Sequence, residues 1–141
     1  MKKQIYILVG LAVWLLPAPL IAGDVVSASP EGASVYIISP ANGETVSETV
    51  TIKFGLRGMG VAPAGLDKPN TGHHHLLINA DALPEAGKPM GKEVQHFGGG
   101  QTEAVIQLPK GKHTLQLVLG NYLHVPHDPP VVSEKITVHV K

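Results

Sequence analysis

Gly72-His73-His74-His75-Leu76-Leu77-Ile78 places three imidazoles at the mouth of an apolar run that reads as a β-strand. Side chains alternate along a strand, so His73 and His75 share one face, about 6.6 to 7 Å apart and within reach of a single metal ion. His74 points the other way, in phase with Leu76 and Ile78, where a backbone carbonyl can satisfy its ring at the rim of a core. The competing reading of His73 and His75 is the polar face of an edge strand.

Outward from this stretch the chain keeps the same period. Val50, Ile52, Phe54 and Leu56 alternate with Thr49, Thr51 and Lys53, which predicts a strand with one buried face. Before it, Val35 to Ile38 is an apolar run closed by Ser39-Pro40-Ala41-Asn42-Gly43, a turn signal that predicts a hairpin-like reversal. Beyond the histidines, Ala104, Ile106 and Leu108 alternate. Pro109-Lys110-Gly111-Lys112 then turns into His113, Leu115, Leu117 and Leu119, and the two runs read as neighbours. Ile136, Val138 and Val140 point inward on a last strand. Gly58 to Thr71 and Asn79 to Gly100, rich in glycine and proline, read as loops, the second long, mobile and suited to carry function. The pattern predicts an all-β fold, an immunoglobulin-like antiparallel β-sandwich of about seven strands. Its one core would hold Phe54, Leu56, Leu76, Ile78, Ile106, Leu115, Leu117, Ile136 and Val138.

Lys2-Lys3, an apolar stretch from Ile5 to Leu16, and Pro17-Ala18-Pro19 before Ala22-Gly23 read as a secretory signal peptide over residues 1–22, with Val26-Ser27-Ala28 as a later cleavage alternative. The run is too short to span a bilayer, which takes roughly 20 apolar residues, so stable membrane insertion is not expected after its removal. Residues 23–141 then form a single domain, periplasmic or secreted. The sequence has no cysteine, hence no disulfide and no lipoprotein anchor, and apolar packing has to stabilise the fold. The formal charge is zero for the whole chain, and loss of Lys2 and Lys3 leaves a small negative balance of interspersed charges. That excludes a nucleic-acid partner as an expectation.

Eight histidines without cysteine mean that a transition metal would be held by imidazole, with oxygen or thioether help. His73 and His75 are the leading pair, because a His-x-His on one strand face presets two ligands. His124 and His127 stand in Tyr122-Leu123-His124-Val125-Pro126-His127-Asp128-Pro129-Pro130, where the prolines favour a rigid, extended loop. His96 precedes Phe97 and Gly98-Gly99-Gly100 and can reach a site from a flexible arm. The candidate ligands are therefore His73, His75, His96, His124 and His127. His113 either meets His74 or packs beside it, and His139 reads as solvated. Met59 and Met90 sit in loops, where a thioether suits Cu(I) but incidental placement is more common.

Four motifs carry a resemblance: the Gly72 to Ile78 stretch, His96-Phe97-Gly98-Gly99-Gly100-Gln101-Thr102-Glu103, Gly111-Lys112-His113-Thr114-Leu115-Gln116-Leu117, and His127-Asp128-Pro129-Pro130. In this order they resemble a family of small exported bacterial domains of unknown function. The resemblance implies the domain limits and brings no activity, substrate or cofactor. The general plan is similar to periplasmic copper-binding sandwiches of the CopC type, whose amino-terminal histidine has no counterpart here, Asp24 being the nearest notable residue.

Three classes follow from these residues. The leading expectation is a non-catalytic exported metal-binding protein, for copper or, as the alternative, zinc. Nitrogen-rich sites favour Cu(II) in the Irving–Williams order. The second is an immunoglobulin-like module that binds another envelope protein or polymer through the Gly98 to Gly100 loop, with structural histidines. The third is a metal-dependent hydrolase with Glu103 or Asp128 as base. No Ser-His-Asp order, phosphate loop or nucleophile elbow supports it. Imidazole ligation predicts affinity that falls as pH drops through about 6.5.

Overall fold

A computed structural model describes residues 25–141. The expected signal peptide, residues 1–22, and Gly23 and Asp24 lie outside the described residues. The strands are β1 (Ser34–Ser39), β2 (Thr45–Val46), β3 (Thr49–Arg57), β4 (Gly60–Val61), β5 (Thr71–Ile78), β6 (Gln95–His96), β7 (Glu103–Gln107), β8 (Gly111–Gly120) and β9 (Ile136–Val140). They form two sheets, one in the order β1-β3-β7 and one in the order β2-β9-β8-β5-β4, with β6 also paired to β5. The described residues thus make the expected β-sandwich, in which three of the strands are only two residues long. Most pairings are antiparallel, while β2 with β9 and β4 with β5 run parallel.

The period-two residues meet between the sheets. Phe54, Leu76, Ile106, Leu115, Leu117 and Val138 are buried in one cluster, with Leu56, Ile78 and Ile136 partly buried against it. The reversal after Val35 to Ile38 also holds, since β1 returns antiparallel on β3. One expected neighbour relation is overturned: β7 pairs with β3, whereas β8 pairs with β5 and β9. The turn through Pro109 and Gly111 carries the chain from one sheet to the other. Both runs show the same alternation because both face the common core, and alternation does not reveal which sheet a strand joins.

The six-stranded sheet also buries part of its outer face. Leu77, Met90, Val94 and Val118 form a second small cluster there, joined by Ala80 and Val132. The chain between β5 and β6 therefore crosses over β5 and β8, and β5 reads as a nearly continuous buried run. This overturns the edge-strand alternative for His73 and His75. β5 lies between β8 on one side and β4 and β6 on the other, and the two rings are 0% and 1% exposed.

Candidate metal centre

The alternation of β5 divides its histidines as the sequence reading expected. His74 turns to the main core, where its ring lies 5.1 Å from that of Phe54 and its Nδ1 is 3.2 Å from the carbonyl oxygen of Gln101. His73 and His75 turn to the covered outer face, with ring centroids 4.6 Å apart.

His96 reaches them from β6, which pairs antiparallel with β5 so that His96 stands opposite His75. The expectation of a flexible arm is corrected here: His96 is held by strand pairing, and the next backbone amide, of Phe97, donates to the His74 carbonyl. Gly98 explains part of the local sequence. A Cβ at that position would lie 2.2 Å from Cε1 and 2.5 Å from Nε2 of His96, so the bare glycine makes room for the ring.

His124 arrives from the turn after β8, and Asn121 builds that turn. The buried Asn121 side chain accepts through Oδ1 from the amides of Leu123 and Val125, and its Nδ2 donates to the Val25 carbonyl. His124 itself adopts φ of +65°, a left-handed conformation uncommon for residues other than glycine, though histidine enters it more readily than most. An asparagine ending a strand before a loop is a turn signal in sequence, but nothing there marks it as the organiser of a ligand.

His73, His75, His96 and His124 thereby converge, each offering a ring nitrogen, with these atoms all within 4.8 Å of one another. Nε2 of His73 is 3.1 Å from Nδ1 of His124 and 3.1 Å from Nε2 of His96. Ligand nitrogens around a tetrahedral ion with bonds of about 2.0 Å would be separated by about 3.3 Å, close to these spacings. Among the described residues the group contains imidazoles alone, with no carboxylate. Nδ1 of His73 and both ring nitrogens of His75 are buried without a hydrogen-bond partner, as is Nε2 of His74 on the core side. Such orphaned groups cost roughly 1 to 3 kcal/mol each unless something else satisfies them.

The electrostatics keep the rings of His73 and His75 neutral. Burial, followed by the fields of His124, His96, His74 and His127, lowers His73 from the ordinary 6.5 to about 4. Burial and then His73, His96 and His124 lower His75 to about 3. His96 is lowered by burial and by His124, and His74 is lowered by burial against the opposing bond to Gln101. A neutral imidazole keeps one unprotonated nitrogen, which is the form that binds a metal.

The fifth candidate stands apart. The His127 ring is buried between two strands, Nδ1 at 3.3 Å from the Leu119 carbonyl oxygen and Nε2 at 3.2 Å from that of Thr71. Both nitrogens face backbone carbonyls, to one of which a neutral ring can donate, and His127 lies outside the group of four imidazoles that converge. His113 does not meet His74. Its Nδ1 accepts from Asn79 and its Nε2 donates to the Pro109 carbonyl. His139 is exposed, as expected. Met59 packs against the main core, while Met90 lines the opening above His75, His96 and His124.

Comparison with curated proteins and with solved structures gives no match. Residues 52–141, spanning β3 to β9 and therefore every one of the four converging histidines, match the family described as Domain of unknown function (DUF4399), and the chain belongs to that family.

Proposed function

We propose that this protein is an exported, non-catalytic metal-binding domain whose ion is copper, with zinc as the alternative, held by His73, His75, His96 and His124. The observation that carries the reading is His75, buried at 1% exposure with neither ring nitrogen bonded and three other imidazoles around it. The structural histidines of this protein bond at least one ring nitrogen, His74 one and His113 both, whereas His75 lacks any partner. An ion supplies the missing one. Copper is favoured over zinc because an all-nitrogen set binds Cu(II) more tightly in the Irving–Williams order. Export rests on the amino-terminal sequence pattern.

Calorimetric titration of the mature protein with Cu(II) and with Zn(II), compared with the His73→Ala/His75→Ala double variant, tests this. The expected result is one equivalent of Cu(II), bound more tightly than Zn(II), and an affinity loss of at least about tenfold in a folded double variant. Unchanged affinity in that variant would reject the site.

A second reading, an envelope interaction module, draws support from Tyr36, Ile38 and Val105, exposed apolar side chains of the three-stranded sheet. It predicts no stoichiometric metal in protein purified without a histidine tag.

A further inference from the structure

Among the described residues, Met90 is the methionine whose thioether borders the imidazole group. It is 8% exposed, although it sits in the loop between β5 and β6. It lines the same opening as His75, His96 and His124, and its backbone amide donates to the His124 carbonyl at 2.9 Å, which ties it to the turn that presents that ring. Gly120 locates its methyl end: a Cβ on Gly120 would lie 2.8 Å from Cε of Met90 and 2.5 Å from Cε1 of His75. The end of the methionine and the edge of the His75 ring thus rest side by side on one glycine at the end of β8.

We propose that Met90 supplies a thioether ligand beside the four imidazoles, so that the site holds Cu(I) as well as Cu(II). The proposal rests on the copper reading and deepens it. Imidazole serves both oxidation states, whereas a soft thioether selects the soft monovalent ion. Met90 also packs on Leu77, Val94 and Val118. Its role as a ligand is separable from packing, because leucine has nearly the same volume and lacks the sulfur.

The test measures Cu(I) affinity of the mature protein under anaerobic reducing conditions by competition with a chromophoric Cu(I) chelator, and Cu(II) affinity by calorimetry, in the natural sequence and in Met90→Leu. The substitution is expected to weaken Cu(I) at least about tenfold and to change Cu(II) by less than about threefold. X-ray absorption of the Cu(I) protein should show a sulfur scatterer that is lost in the variant. Equal Cu(I) affinity in the two proteins overturns the proposal, as does the absence of sulfur from the natural protein's spectrum. Equal weakening of both ions together with a lower thermal midpoint assigns Met90 to packing and also overturns it. Binding of Cu(II) with no binding of Cu(I) removes this inference alone, while binding of neither removes the copper reading itself.

Discussion

Two glycines define the space around the imidazoles, and they differ in what yields when a methyl is added. At Gly98 the neighbour is the exposed ring of His96. A ring at the surface can rotate aside, so Gly98→Ala should lower metal affinity about tenfold while leaving apo stability within about 0.5 kcal/mol. At Gly120 the neighbours are His75 and Met90, both buried. Both are packed against neighbouring strands and cover, so Gly120→Ala should weaken binding and also destabilise the apo protein by about 1 to 3 kcal/mol. Paired calorimetry and denaturant unfolding check both, and equal stability losses in the two variants would contradict the geometry. The four converging histidines were legible in the sequence because imidazole itself announces metal chemistry. Gly98, Gly120 and Asn121 were not. Their roles come from close approach of segments distant in sequence or from a turn's internal bonds, and a glycine or asparagine in a loop has many commoner explanations.

β5 does two jobs on opposite faces, and the strand period separates them. His74 belongs to the core side and His73 with His75 to the outer side. His74→Ala should therefore lower unfolding stability without changing Cu(II) affinity, the reverse of the outcome expected for the His73 and His75 double variant. Leu117, fully buried on the neighbouring β8, should cost about 2 to 5 kcal/mol when changed to alanine, read as a shift of the denaturation midpoint. Alternation makes these strands and their inward residues legible in the sequence. It did not assign strands to sheets, which is why β7 and β8 were read as neighbours. It also missed β6, where two residues, Gln95 and His96, pair with β5 inside a stretch whose glycines and prolines signal only loop. A pairing that short leaves no periodic trace, and the apolar cover it helps to anchor over His73 and His75 was hidden for the same reason.

For the molecule as a whole, the buried rings couple folding to protons and to metal. In the unfolded chain His73 and His75 titrate near 6.5, while in the folded protein burial and mutual repulsion lower them to about 4 and about 3. Between those values the unfolded state binds more protons than the folded one, so stability rises with pH across this window and is lost as pH falls. The apo protein should be unaffected by these groups above about pH 7 and should lose on the order of a few kcal/mol as pH drops from about 6.5 towards 4. The depressed values also move the binding window expected from an unperturbed imidazole. At pH 6 His73 and His75 are already neutral, so metal displaces few protons from them, and affinity should persist well below pH 6.5 before failing near pH 4. Metal bound only by the folded state opposes acid unfolding, by about 4 kcal/mol when free metal exceeds its dissociation constant a thousandfold. Thermal melts from pH 7 to pH 4, with and without Cu(II), should therefore show stability falling in parallel from pH 6.5 downward, the metal-loaded curve held above the apo curve by a nearly constant offset that shrinks only near pH 4. An apo stability that does not change, with a metal offset that already shrinks as pH falls from 6.5, would mean that the rings titrate as exposed histidines do and that their burial does not govern metal release.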